Sequence, residues 1–217
     1  TLTELPYGGI SVGAGTARAG YARNNTIRAN RVARWMLRMQ DSAAIYVTGR
    51  QPGSVIARNF LFEQGLSGLE FPPHCDAPMA GRRCSVDEVV AFEDLWIREI
   101  GASYNITACY RTREGWCNQT ANAHGGGIYG DNGSGGWHVS ENVLSDIVHW
   151  MFVWDGRPGK MVDMLFAAEN WVDSPLFSNN AEANNVSVER NVPVPKGGEW
   201  PAAARHIMDR SGVQENT

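Results

Sequence analysis

The sequence lacks any stripe of basic residues. Its 19 Lys and Arg residues are scattered among 23 Asp and Glu residues, and the net charge is −4 at pH 7. Nucleic acids and anionic membranes are bound through clustered positive charge, so we expect neither as a partner. No apolar run approaches the roughly 20 residues that a membrane-spanning helix needs. We therefore expect no membrane span.

Charged residues are also scarce, at 19%, whereas glycine is abundant, with 24 residues. This balance favours one β-rich domain with tight turns, over residues 1–217, rather than a helical bundle. The chain begins at Thr1 without Met and without the pattern of a signal peptide. Because Leu5–Val12 reads as the middle of a strand, we interpret the chain as a processed or partial polypeptide.

One segment of the chain recurs 83 residues later without insertion or deletion. Asp41–Leu61 aligns with His124–Leu144, which places Tyr46 on Tyr129. The coinciding residues fall at strand and turn positions, where a stacked repeat reuses the same geometry. Such self-similarity predicts a solenoid, in which each coil buries its apolar face against the next.

A shorter unit recurs inside this pattern: an apolar residue, two residues, Asn, one residue and a second apolar residue. Asn tolerates left-handed turns, and Asn at one turn of successive coils would stack its amides into a ladder. The alternative is that Asn falls in these turns by chance. We predict parallel strands in right-handed coils of roughly 20–30 residues. The Asn residues at equivalent turns are Asn30, Asn59, Asn142 and Asn170, with Asn191 in an imperfect fifth copy.

The chain has only four cysteines, and all lie between the two aligned segments. Four cysteines allow three pairings, and the local pairs Cys75–Cys84 and Cys109–Cys117 are the simplest. A zinc site is the alternative, since His74 adjoins Cys75, but no C-x-x-C spacing is present. We therefore predict two disulfides, an oxidising compartment and no metal.

Two places carry helix signals. Ser85–Glu88 fits a capping box, and the apolar spacing that follows predicts an amphipathic helix to about Ile100. This helix would lie in a disulfide-bonded insertion at residues 70–123. Pro201 at a first-turn position predicts a second helix within residues 200–212. As a terminal element of a solenoid, it is expected to cover the open end of the last coil.

N-x-[ST] sequons occur five times, whereas chance predicts about one or two. Stacked Asn-rich turns inflate this number, which is the alternative explanation. Together with the cysteines, the sequons predict a secreted, extracellular glycoprotein. The acceptor residues would be Asn24, Asn105, Asn118, Asn132 and Asn185.

Four segments share the motifs of a known group: Gly9–Gly13, Asp41–Gly53, Gly127–Ser134 and Trp200–Ala204. They resemble the C-terminal half of secreted right-handed parallel β-helix proteins, which include glycoside hydrolases and polysaccharide lyase-like proteins. The resemblance covers the chain from near its start to near its end, apart from the cysteine-rich insertion. It implies an all-β solenoid whose N-terminal part lies outside this chain.

The resemblance also implies a carbohydrate site on the helix flank, with carboxylates at Asp41 and Asp131. Glycosidic cleavage needs one carboxylic acid to protonate the leaving oxygen and a second carboxylate as base or nucleophile. Coils about 4.8 Å apart can bring two carboxylates within the roughly 5–9.5 Å that these mechanisms require. His124, in the register of Asp41, is a third catalytic candidate. The alternative for all three is a turn role.

Several positions depart from the group's pattern. Ala14–Ala17 replaces aromatic residues, Ser42 and Ala43 replace a glycine pair, and Asn132 replaces an acidic residue. A glycan on Asn132 would crowd the neighbouring aspartate. Aromatic side chains remain candidates for sugar platforms, although packing is the default role of such residues. The candidates are Tyr46, Tyr129 and Trp137.

Two functions follow from this reading. The first is a secreted, glycoside-hydrolase-like protein that acts on or binds an extracellular polysaccharide, without a cofactor. The second is a non-catalytic structural glycoprotein of a cell wall, sheath or filament. In that case the coil around Leu5–Val12 would stack on an N-terminal β-helix part or on another copy, because an open coil leaves a strand edge unpaired.

Overall fold

The computed structural model describes residues 1–13, 22–37, 41–65, 110–111, 117–119, 125–147, 149–153, 163–174, 176–179 and 184–213. Within these ranges the chain forms sixteen β-strands and one short α-helix. The expected β-rich class is therefore confirmed for the described residues. The strands form two sheets, which we call sheet A and sheet B.

Sheet A contains six short strands that pair in parallel in the order of the chain. The last five strands each follow a turn, and alternate side chains along a strand lie on opposite faces. Its strands are β1 (Leu2–Thr3), β4 (Arg31–Ala33), β6 (Phe60–Phe62), β10 (Val143–Ser145), β13 (Trp171–Val172) and β16 (Val192–Pro193).

Sheet B contains ten strands, all paired in parallel except β7 with β8. Its strands are β2 (Ile10–Val12), β3 (Thr26–Arg28), β5 (Ser42–Ala57), β7 (Tyr110–Arg111), β8 (Cys117–Gln119), β9 (Gly125–Ser140), β11 (His149–Val153), β12 (Asp163–Ala168), β14 (Leu176–Asn179) and β15 (Asn184–Glu189).

Two long strands of sheet B, β5 and β9, each bend into two legs. Gly53 and Gly136 have φ of 73°, a left-handed conformation that glycine adopts without strain. The first legs pair with β2 and β11, and the second legs pair with β3 and β12. Tyr46 pairs with Tyr129, and Ile56 with Val139. The predicted 83-residue repeat is therefore confirmed by the strand register.

The Asn residues form the predicted ladder at the turn that precedes each of the last five strands of sheet A. Asn59 Nδ2 donates to Asn142 Oδ1 at 2.9 Å, and Asn142 Nδ2 donates to Asn170 Oδ1 at 2.9 Å. Asn30 donates to Asn59 in the same way, and Asn170 donates to Asn191. The imperfect fifth copy is thus a full member of the ladder.

The left-handed residue of each turn is the one before Asn, not Asn itself. In this respect the predicted reason for choosing Asn was wrong. Asn is used because its amide accepts from the backbone N–H of the preceding coil and donates to the next coil, which satisfies buried polar groups. A non-glycine residue with φ near +55° is strained and persists only when its surroundings fix it. These residues are Ala29, Arg58, Glu141, Glu169 and Arg190.

The hydrophobic core lies between the two sheets. Val32, Leu61 and Leu144 of sheet A share one buried cluster with Ile45 and Ile128 of sheet B. All five are at most 1% exposed. Burial of one such aliphatic side chain contributes about 1.5–3 kcal/mol, so stacking of equivalent apolar positions accounts for much of the stability.

The helix α1 spans Ala202–Arg210, inside the predicted range of residues 200–212. It buries Ala204 and Ile207 against Phe60 and Val143, on the face of sheet A that points away from the core. The expected position over the end of the last coil is therefore wrong. An apolar stripe shows which face of a helix is buried but does not specify the surface that it packs against.

Gly126 of β9 lies close to the backbone of the neighbouring strand β11. A Cβ at this position would come within 2.6 Å of the carbonyl oxygen of His149. We expect Gly126→Ala to force the strands apart and to lower the free energy of unfolding by about 2–3 kcal/mol, measured by urea denaturation. Gly197→Ala is the comparison variant: its Cβ would meet nothing within 4 Å, but its φ of 71° is strained for alanine, so we expect a smaller loss of about 1 kcal/mol. Equal losses for both variants would contradict this packing argument.

Part of the predicted insertion lies outside the described residues. This applies to the helix Ser85–Ile100, to His74, and to the cysteines Cys75, Cys84 and Cys109. Cys117 begins β8, whose backbone pairs with β14, but its side chain is not among those described. The two disulfides therefore stay predictions.

Candidate functional site

The two aspartates of the predicted site lie on neighbouring coils, at opposite ends of the paired first legs of β5 and β9. Asp41 precedes β5 with φ of 63°, and Asp131 ends the first leg of β9. Asp131 pairs with Thr48 of the adjacent coil, and Thr48 follows Asp41 by seven residues in the sequence. Asn132 and Gly133 follow with φ of 47° and 74°, so the chain turns sharply at this point.

Asp131 is almost completely buried, at 6% exposure, and accepts three hydrogen bonds. The Tyr46 hydroxyl and the side-chain amide of Asn132 donate to Oδ2, and the backbone N–H of Asn132 donates to Oδ1 at 2.7 Å. Burial raises the pKa of the Asp131 carboxyl, and the negative charge of Asp41 adds to the increase. The donors from Tyr46 and Asn132 oppose it by stabilising the ionised form.

Tyr46 and Tyr129 connect the two carboxylates. Their rings meet edge to face with centroids 5.0 Å apart, and Tyr129 packs in the same way on Phe152 at 4.7 Å. Tyr46 donates to Asp131, whereas Tyr129 is hydrogen-bonded to the side chain of Asp41. Burial and the neighbouring aspartates raise the pKa of both hydroxyls, so both tyrosines remain proton donors at neutral pH.

Tyr7 is a member of this cluster that the sequence reasoning missed. Its hydroxyl donates to the backbone carbonyl of Asp41 at 2.7 Å, and its side chain is exposed. Ile10 pairs with Ile45. Aligning the first strand on this register would have placed Tyr7 beside the start of β5. The 83-residue repeat begins at Asp41 and does not include this strand, so it gives no signal for Tyr7.

The aromatic predictions need correction. Trp137 is 1% exposed and belongs to the central core, so it offers no surface to a sugar. Tyr129 is also 1% exposed, so within the cluster it can only pack against its neighbours and form hydrogen bonds through its hydroxyl. Tyr46 is half-buried and is the member of the predicted trio that reaches the surface. His124 lies outside the described residues.

Two predicted sequons have described side chains. Asn24 is exposed, at a left-handed turn. Asn132 is half-buried and directs its Nδ2 at Asp131, so a glycan on that atom would lie beside the carboxyl group. Asn105 lies outside the described residues, as do the side chains of Asn118 in β8 and Asn185 in β15. Glycosylation of all five stays a prediction.

No cluster of three or more His, Cys, Asp or Glu residues that would suit a metal ion occurs in the described ranges. The helix among these residues is too short and too polar to cross a membrane.

Comparison with known proteins adds one structural likeness. Over 98% of its length the chain resembles a solved structure described as "Glycoside hydrolase", with a TM-score of 0.45 and 18% sequence identity. The chain spans 22% of the length of that protein. No protein-family model and no curated protein sequence matches the chain. The proposals below therefore rest on the contacts of the chain's own residues.

Proposed function

We propose that the chain is part of a secreted right-handed parallel β-helix that hydrolyses glycosidic bonds in an extracellular polysaccharide. The parallel sheets, the continuous Asn ladder and the core between the sheets support the solenoid. The cluster of Asp41, Asp131, Tyr46 and Tyr129 on β5 and β9 supports the reaction.

The two carboxyl groups suit different roles because their surroundings differ. Asp131 is buried with a raised pKa, a shift towards the protonated form that donation to the leaving oxygen requires. Asp41 is exposed at the start of β5 and would act as the base or nucleophile. A pair of carboxyl groups of which one is buried and the other exposed is typical of the acid and the base or nucleophile in glycoside hydrolysis. This contrast is the observation that carries the proposal.

The half-buried Tyr46 would have two roles, to position the proposed acid and to contact the sugar. Its ring edge packs on Tyr129, and its hydroxyl holds Asp131 in position. Tyr46 is thus a positioning residue for the proposed acid, and part of its ring remains available to a sugar face. No cofactor is needed, because both proton transfers involve only the carboxyl groups and water.

The test is hydrolysis of a panel of neutral and acidic polysaccharides, measured by the release of reducing ends across pH. The Tyr46 hydrogen bond lowers the pKa of Asp131, so Tyr46→Phe should raise it. We expect the alkaline limb of kcat/KM to move to higher pH in this variant. Tyr7→Phe is the matched control, because Tyr7 bonds the backbone of Asp41 rather than a carboxyl group.

Two results would contradict the catalytic proposal. One is the absence of hydrolysis across the whole panel by the folded protein. The other is an alkaline limb that stays in place in Tyr46→Phe or moves equally in Tyr7→Phe. Either result would leave the cluster a structural feature of the turn.

A structural glycoprotein is the second candidate, and one observation favours it. Three donors from Tyr46 and Asn132 already occupy the Asp131 carboxyl group, so the site is partly closed by its own turn. Mass spectrometry of the peptide around Asn132 tests this alternative. A glycan at Asn132, together with an inactive protein, would favour a cell-wall, sheath or filament component.

A further inference from the structure

A groove of about 820 Å³ separates helix α1 from the ladder turns of sheet A. Its floor is formed by the left-handed turn residues Ala29, Arg58 and Glu141, and one wall by His206 and Arg210 of the helix. Two hydrogen bonds join the C-terminal end of the helix to these turns. Gly212 N–H donates to the carbonyl oxygen of Ala29 at 2.8 Å, and Ser211 Oγ donates to the carbonyl oxygen of Arg58 at 3.1 Å. The groove is therefore a fixed feature of the fold.

The groove is basic although the chain as a whole is acidic. Its lining includes Arg28, Arg58, Arg210 and His206 but a single acidic residue, Glu141, which is paired with Arg58. Arg28 is exposed at the end of β3. Guanidinium groups bind carboxylate and sulfate oxygens through paired hydrogen bonds, so this concentration of arginine indicates an anionic ligand.

An apolar surface lies beside these charges. Half-buried Trp171 lines the groove with Ile207. An indole ring offers a flat face to the apolar side of a sugar ring, while adjacent cations bind its charged substituent. The volume lies within the usual range for a site that holds a small ligand, about 300–1,000 Å³.

We propose that this groove binds a sugar unit that carries a sulfate or carboxylate group. The groove lies on the outer face of sheet A, whereas the Asp41–Asp131 cluster lies on sheet B. The proposal therefore goes beyond the proposed hydrolysis and does not depend on it. A site of this kind would hold an anionic segment of a glycan on the outer face of sheet A.

Calorimetric titration of the full chain with three disaccharides tests the proposal. One disaccharide is sulfated, one carries a uronic acid, and one is unsubstituted. We expect at least one anionic disaccharide to bind at least tenfold more tightly than the unsubstituted one, with affinity falling as salt rises. Arg28→Gln should weaken this binding about five- to tenfold. Arg23→Gln is the matched control, because Arg23 is exposed and does not line the groove.

The comparison between the two anionic disaccharides identifies the charged group. Equal affinity for charged and unsubstituted disaccharides would overturn the proposal, as would equal losses in Arg28→Gln and Arg23→Gln. Inorganic sulfate that binds as tightly as the sulfated disaccharide would overturn the role of the sugar ring. Binding retained in an Asp131→Asn protein would show that the groove is separate from the proposed catalytic site.

Discussion

Asn142→Ala is expected to lower the free energy of unfolding by about 3–5 kcal/mol. Asn142 is fully buried, and its Oδ1 accepts from both the backbone N–H and the side-chain amide of Asn59. Its Nδ2 donates to Asn170 Oδ1 and to the carbonyl of Ile56. Alanine would remove these hydrogen bonds and leave the backbone N–H of Asn59 without its acceptor, whereas Asn59 Nδ2 and Asn170 Oδ1 each keep one partner. A buried group left unpaired costs about 1–3 kcal/mol, and each lost hydrogen bond adds about 0.5–1.5 kcal/mol. Urea denaturation monitored by circular dichroism measures the loss.

Asn30→Ala provides the control at the end of the ladder. Asn30 is only half-buried and donates to Asn59 Oδ1, so its removal leaves fewer buried groups without partners. We expect a loss of about 1 kcal/mol. Similar losses for the two variants would mean that the ladder contributes little beyond an ordinary turn, and the explanation for the recurrence of Asn would fail.

The ladder was predictable from the sequence because stacking imposes one spacing on several residues. Asn59 and Asn142 are separated by the same 83 residues as Tyr46 and Tyr129, so one alignment fixed both the turns and the strand register. The left-handed residue was not predictable in this way. Residues as different as Ala29 and Glu141 occupy that position, since the neighbouring Asn fixes the backbone and the side chain is not part of the core.

The candidate site was predictable only in part. Asp131 and Tyr46 were both selected, but the sequence did not show that the tyrosine donates to the aspartate. The repeat places Tyr46 beside Tyr129 and Thr48 beside Asp131, and the contact is a diagonal one between neighbouring strands. The burial of individual aromatic residues was not predictable from the sequence. Trp137 lies in the core, and the number of tryptophans does not show which rings are buried and which are exposed.

The two faces of the molecule carry opposite kinds of chemistry. Sheet B carries two carboxyl groups and three phenols on and beside the first legs of β5 and β9. Sheet A presents arginines beside helix α1. Because side chains alternate between the core and the outer face along a strand, the residues on the outer face can differ while the core stays the same. An acid–base site and a site for an anionic sugar can therefore occupy the same stack of coils.

Asp131→Asn is expected to lower kcat/KM for glycoside hydrolysis by at least 100-fold, because loss of a general acid typically costs a factor of about 100 to 10,000. The fold should persist. The amide oxygen can still accept from the backbone of Asn132, and the Tyr46 hydroxyl can accept where it formerly donated. Asp209→Asn is the matched control, since Asp209 is exposed on α1. Its activity should equal that of the unmodified chain.

Stability across pH separates the loss of the acid from a loss of structure. The native pKa of Asp131 is raised, so its contribution to stability is complete below the unfolded pKa of about 3.9 and is lost as pH rises through the native pKa. The Asn variant has no such group. Its melting temperature should therefore rise relative to the unmodified chain between pH 4 and neutral pH. An inactive variant whose relative stability falls over that interval would show that Asp131 is needed, ionised, for the turn rather than for proton transfer.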